Sequence, residues 1–274
     1  MRYLRIFVIL LFVVSLVFSG WANLRYRSSM NTDHPTITCE ETLLEVSVKD
    51  SKQALLQGLS AYDATDGDLT DEIMIASVSH FLKPGLVNVK YVVFDKHHNS
   101  ASLTREVRYT DYESPRFTLT SPAVYPRGSS FDLLKRLHVE DCIDGDISDR
   151  VRVITNNVNS FSAGEYPVAL EVTNSCGDLT QLTLWVTVLD RENSVAITLK
   201  DYIVYLEQGK TFDPYSLIAS VTDQTGAYLP KDQVQIQGNF DTSTPGSYRL
   251  AYSYADDRVS GQTAITVVVT GKEA

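Results

Sequence analysis

The chain has 274 residues, with 34 acidic and 24 basic side chains and a formal net charge of −10. Residues 1–27 hold Arg2, Arg5, Arg25 and Arg27 and no acid, so the remainder sets all 34 acids against 20 bases. So acidic a surface repels nucleic acid and anionic lipid, which excludes nucleic acid as a partner of the folded part.

The first element is Ile6 to Ala22, an uncharged apolar run of 17 residues behind a basic start. As a helix it reaches about 25 Å, the short end of a bilayer span, with Trp21 at interface depth. Two readings of residues 1–27 stay open. A retained anchor makes a single-pass cell-membrane protein, held in the membrane through residues 6–22, with extracellular C-terminal domains. A cleaved signal makes a secreted protein, because Gly20-Trp21-Ala22 places small residues for a cut before Asn23. The run exceeds the 7–15 residues of a signal core, which favours the anchor. Residues 28–34 then read as a polar tether.

Beyond the tether the chain repeats itself. Asp66-Gly67-Asp68-Leu69-Thr70-Asp71 returns 78 residues later as Asp144-Gly145-Asp146-Ile147-Ser148-Asp149. Lys83-Pro84-Gly85 returns as Ser162-Ala163-Gly164 and as Thr244-Pro245-Gly246, and Leu103 to Tyr109 returns as Leu182 to Val188 and Thr263 to Val269. A period this long and strand-rich marks whole domains rather than solenoid repeats. The expected domains are 35–111, 112–190 and 191–274.

Within a unit the signals recur in one order. Thr36 to Cys39 enters, Leu43 to Val48 follows, and Leu59 to Asp63 leads into the acidic loop. Next come a strand near Ile73 to Val78 and a Pro84-Gly85 turn. The long strand Val87 to Phe94 has Val87, Val89, Tyr91 and Val93 on one face, and Asp95 to Ala101 turns the chain into Leu103 to Tyr109. About seven short strands without helical periodicity predict an all-β chain of three tandem immunoglobulin-like antiparallel β-sandwiches after an N-terminal hydrophobic helix. Junctions of three or four residues leave little room for independent tumbling.

Ala61-Tyr62-Asp63 through Asp71, Pro84-Gly85, and Asp95 with Asn99 resemble the bacterial immunoglobulin-like repeats of the group 3 kind. So do Asp141 to Asp149, Ala163-Gly164-Glu165-Tyr166, and Asn174 with Gly177-Asp178. These repeats are similar to hyalin repeats and to the Ig-like repeats of insecticidal crystal proteins. The third unit departs, with Thr222-Asp223-Gln224-Thr225-Gly226 in place of the acidic loop. The resemblance implies a spacer or adhesive role on a bacterial surface and no catalysis.

The acidic loops carry the candidate chemistry. Asp63, Asp66, Asp68 and Asp71, with Asp95 from the facing turn, offer hard oxygen ligands for weakly held calcium. Asp141, Asp144, Asp146 and Asp149, with Asn174, repeat the pattern. The same side chains serve as acceptors for turn N–H groups, with Gly67 and Gly145 supplying positive φ. The third unit dispenses with the cluster, so folding is expected to need no calcium and no other cofactor. His97-His98 falls in a hairpin turn and reads as solvated.

Cys142 precedes the second acidic loop and Cys176 lies in the final turn of the same unit, where the first unit has Ala64 and His97. Both loops belong at one end of such a sandwich, and export permits oxidation, so a Cys142–Cys176 disulfide worth ~2–4 kcal/mol is expected. Cys39, matched by Leu119 and Leu199, reads as a small buried apolar residue. No Gly-x-Ser-x-Gly elbow, His-Glu-x-x-His helix or phosphate loop is present. The expected function is therefore non-catalytic, a spacer or a binding module for a protein or glycan surface ligand. The alternative is a subunit of an envelope assembly joined through sandwich edges.

Overall fold

The computed structural model describes residues 11–22 and 33–271. Residues 11–22 are helical, about 18 Å at 1.5 Å per residue, against a hydrocarbon core of ~30 Å. Among the described residues no helix is long and apolar enough to cross a membrane. That corrects the single-pass cell-membrane expectation for residues 6–22. Residues 6–10 of the run, and Asn23 beyond the possible signal cut, lie outside the described residues.

The chain divides into two compact units, one ending at Asp111 and one beginning at Tyr112. The first contains β1 (Thr36–Cys39), β2 (Leu43–Val46), β3 (Leu59–Asp63), β4 (Gly67–Asp68), β5 (Met74–Val78), β6 (Leu86–Phe94) and β7 (Ser100–Tyr109). A sheet in the order β1-β3-β4 faces one in the order β2-β7-β6-β5. On β6 the period of two is strict: Val87, Val89, Tyr91 and Val93 are all 0% exposed. Full burial of each such side chain contributes ~1.5–3 kcal/mol.

Arg105 of β7 lies two residues before Val107 on the same inward face and is 3% exposed. Its guanidinium donates to the carbonyls of Leu55 and Gln57 at 2.7 and 2.8 Å, and its Cζ lies 5.4 Å from the centre of the Tyr91 ring. A buried charge is costly unless it is paired or hydrogen-bonded. Here Nη1 and Nη2 close the end of the short 3-10 helix Lys52–Leu56, while Nε is buried without a hydrogen-bond partner.

The second unit holds two further sandwiches. One uses β8 (Arg116–Leu119), β9 (Val124–Pro126), β10 (Leu137–Asp141), β11 (Gly145–Asp146), β12 (Arg152–Asn156), β13 (Gly164–Thr173) and β14 (Leu179–Leu189). The other uses β15 (Val195–Leu199), β16 (Ile203–Glu207), β17 (Ile218–Asp223), β18 (Gln235–Gln237), β19 (Gly246–Ala255) and β20 (Ser260–Thr270). Sheets β11-β10-β8 and β12-β13-β14-β9 make the first of these, β15-β17 and β16-β20-β19-β18 the second. Alternation again fills the cores, with Val168, Leu170 and Val172 on β13 and Leu250, Tyr252 and Tyr254 on β19.

One feature departs from a purely antiparallel sandwich. In each, an early strand crosses to the opposite sheet and pairs parallel with the last: β2 with β7, β9 with β14, β16 with β20. The outermost strands β5 and β12 are bulged, at Ile75/Ser77 and at Val153/Thr155.

The two sandwiches of the second unit are packed on one another. Ile203 of β16 is part of the core built around Phe117 and Val139. Phe117 N–H donates to Tyr205 Oη at 2.9 Å, and Arg249 pairs with Glu165 at 2.7 Å while also donating to Thr187 Oγ1.

Candidate functional site

The acidic loops fold as turns because each aspartate accepts backbone N–H groups a few residues ahead of it. Asp63 Oδ1 accepts from Thr65 and Asp66, both at 2.9 Å, and Asp141 Oδ1 accepts from Ile143 and Asp144 at 2.9 and 2.8 Å. Asp68 and Asp146 are exposed and accept from the N–H of Thr70 and Ser148. Hydrogen bonds from the Thr70 and Ser148 side chains, and then from their backbones, hold those two carboxyls below the usual range.

The turn between the last two strands repeats the device in all three sandwiches. Asp95 Oδ1 accepts from His97 and Asn99, Asn174 Oδ1 from Cys176 and Asp178, and Asp256 Oδ1 from Arg258 and Val259. Position 98 needs positive φ: His98 adopts +67°, and Gly177 takes +82° in the second turn. The sequence signal for Asp256 is its place directly after a long alternating strand, the place Asp95 and Asn174 hold in the other two units.

A third aspartate stitches loop to turn. Asp66 Oδ2 accepts from Lys96 N–H at 2.8 Å. Asp144 accepts from Ser175 N–H and Oγ–H at 2.7 and 2.6 Å, and Arg150 Nη1 reaches it at 2.6 Å. Burial alone would raise the Asp144 carboxyl, but these donors outweigh it and hold the group below the ordinary range. Asp95 likewise has burial working against ionisation, overcome by the donors of Asn99 and His97.

The structure therefore gathers Asp63, Asp66 and Asp95 at one end of the first sandwich, and Asp141, Asp144 and Asn174 at the matching end of the second. Asp68 and Asp146 face solvent from β4 and β11. His97, expected to be solvated, lies with Asp66 and Asp95: one ligand atom from each falls within 4.8 Å of the others.

The expected disulfide is not formed. Cys39, Cys142 and Cys176 are all free thiols. Cys142 is exposed and its Sγ–H donates to the Glu113 carbonyl at 3.1 Å. Burial raises both thiols above their ordinary range, away from reactive thiolate character. Cys39 packs against the first core, as a small apolar residue would.

One constellation looks catalytic and is not. Ser148 Oγ lies 3.2 Å from His138 Nδ1, with Asp146 nearby. A relay needs the acid on the ring nitrogen opposite the serine. Asp146 Oδ1 instead lies 3.6 Å from the same Nδ1 and itself accepts the Ser148 hydroxyl proton.

Residues 197–269 match the family described as "Bacterial surface protein, Ig-like domain". They form a bacterial surface Ig-like domain. The match falls on the sandwich without an acidic loop, and it agrees with the likeness carried by the loops of the other two. The pesticidal crystal protein Cry22Aa of Bacillus thuringiensis is 31% identical over 224 residues, 78% of this chain and 30% of its own. An uncharacterized 81.3 kDa protein of Acholeplasma phage L2 is 22% identical over 225 residues, again 78% of this chain and 30% of its own. The chain thus spans about 30% of the length of both relatives. Among solved structures, Drosophila N-cadherin EC1-3 is similar over 85% of this chain and 98% of its own, at 12% identity and a TM-score of 0.30. A surface Ig-like domain beside sandwiches of the same plan has the make-up of a binding or spacer module.

Proposed function

We propose that the chain is an extracellular spacer whose sandwiches carry tension between their ends. The observation that supports this is the parallel pair closing each sandwich. Because an early strand lies beside the last and runs the same way, a pull on the two ends slides one strand along the other. Their hydrogen bonds are then loaded together in shear rather than opened one at a time. The packed junction inside the second unit suits the same task, since a spacer must hold a distance. The bulges in β5 and β12 blunt those two edges, in the first two sandwiches, against pairing with another chain. That favours the spacer over an edge-joined envelope assembly.

Forced extension of the full chain between its ends tests the reading, because resistance to force reports the unfolding barrier. The parallel registers contain five partners in β16–β20, four in β2–β7 and three in β9–β14. The expected order of unfolding force follows those lengths, with the last sandwich strongest. Sandwiches that all yield at the low force of a zipper opening would refute the proposal.

A further inference from the structure

The end of the first sandwich presents more negative charge than its turns require. Asp95 is 4% exposed, the Asp66 side chain 6%, and His97 sits exposed at the rim. An independent observation lies beside them. Asp63 is 1% exposed, and its Oδ2 is buried with no hydrogen-bond partner.

The second sandwich identifies where that oxygen points. There Asp141 Oδ2 receives Asn174 Nδ2–H at 3.1 Å. Asn174 and Asp95 are equivalent: each donates its N–H to the residue four ahead and accepts two turn N–H groups on Oδ1. By that equivalence Asp63 Oδ2 faces the Asp95 carboxylate, whose own Oδ2 takes the Asn99 Nδ2–H at 2.7 Å and which has no proton to give. Lys96 Nζ, 79% exposed, reaches Asp66 Oδ1 only at 3.5 Å. Facing carboxylates repel, and buried ones are stable when paired or bound to metal.

We propose that the first sandwich binds a divalent transition-metal ion of the zinc or manganese class through Asp66, Asp95 and His97, with the unpartnered Asp63 carboxylate adding negative charge beside them. The imidazole nitrogen separates this donor set from a calcium site, which takes six to eight oxygens. The second sandwich has no such site. Asn174 and Cys176 stand in place of Asp95 and His97, and Arg150 already neutralises Asp144.

Calorimetric unfolding of the full chain at neutral pH, with chelator and then with excess zinc, manganese or calcium, tests the assignment. Zinc or manganese is expected to raise the transition of the unit ending at Asp111 and leave the other unit in place, since a ligand stabilises only the unit that binds it. Asp95→Asn gives Asp63 the amide that Asp141 already has. It gives up the bond from Asn99 Nδ2 in exchange, and is expected to leave the unit ending at Asp111 folded without metal while abolishing the rise. His97→Ala, at the exposed rim, is expected to weaken binding at least about tenfold, since even outer partners of a metal contribute that much. A rise that persists undiminished in either variant overturns the proposal. So does a larger response to calcium, or no response to any of the three ions.

Discussion

Asn174→Asp rebuilds in the second sandwich the carboxylate pair of the first, without its histidine. The Asn174 amide donates to Asp141 Oδ2 at 3.1 Å and to Tyr112 Oη at 2.9 Å. Asp141 is 2% exposed and Asn174 5%. Substitution removes both donors and sets a second charge against a buried carboxylate. Leaving one buried group unsatisfied costs about 1–3 kcal/mol. For a cooperative unit of this size, each kcal/mol lowers the midpoint by roughly 2–4 °C, so the loss is on the order of 2–12 °C at neutral pH. The variant pair also holds a proton more tightly in the folded state than in the unfolded chain. Its destabilisation is therefore present above the unfolded carboxylate value of ~3.9 and fades as pH falls toward it. Asn174→Ala removes the same donors without adding charge, so its deficit should not fade. Calorimetry of the full chain at neutral pH and near pH 4 compares the two, with the unit ending at Asp111 as internal reference. An Asn174→Asp protein as stable as its parent at neutral pH, or equally impaired at both pH values, would refute the buried pair.

Tyr205→Phe leaves the N–H of Phe117 without its acceptor across the junction and should lower the stability of the second unit, again by about 1–3 kcal/mol, read as a lowered midpoint. Tyr248→Phe, which loses only an exposed bond to Thr244, is the control and should change little. Because Asp144 is held below the ordinary carboxyl range, its contribution is complete above about pH 3.9 and is lost as pH falls through its lower folded value. The stability gap between the parent chain and Asp144→Asn should accordingly close in acid, as denaturant midpoints across pH will show. Free thiols at positions 142 and 176 predict unfolding midpoints that do not move with reductant, and thiol titration of the denatured chain should find all three cysteines reactive.

Local pattern revealed most of the fold, because inward faces obey a period of two that can be read residue by residue. Val87, Val89, Tyr91 and Val93 were placed on one face from spacing alone, and the structure buries all four. The parallel strand pairs were not legible. They arise when an early strand changes sheet, which no local periodicity records. The inward place of Arg105 is not legible either, because a charged residue within a strand ordinarily faces water, whereas this one finds carbonyl partners 48 and 50 residues away. The junction of the second unit was hidden for the same reason: Tyr205 and Arg249 look like ordinary strand side chains until their partners across the sequence are known. The cysteines show the reverse error. Their loops do share an end of the sandwich, but proximity of loops does not aim two sulfurs at one another, and Cys142 is turned to Glu113.

The three hairpin turns show how one residue choice separates scaffold from chemistry. Asp95, Asn174 and Asp256 perform the same backbone task through Oδ1, so the turn itself is indifferent to amide or carboxylate. What differs is the other end of the side chain. Asp256 is exposed, which leaves its second oxygen open to solvent. Asn174 is buried against Asp141 and supplies the proton that the neighbour lacks. Asp95 is buried at the same place and supplies none, so Asp63 keeps an unpaired oxygen that a cation would satisfy. An acidic loop with its turn acceptors satisfied is a structural lock, and the same loop facing a second carboxylate is a receptor for positive charge. His97 stands at the rim where an incoming ion would meet it, while Cys176, its counterpart, faces a site already closed by an amide and a guanidinium. The first sandwich is therefore the place in the chain where the repeat departs from what folding alone demands.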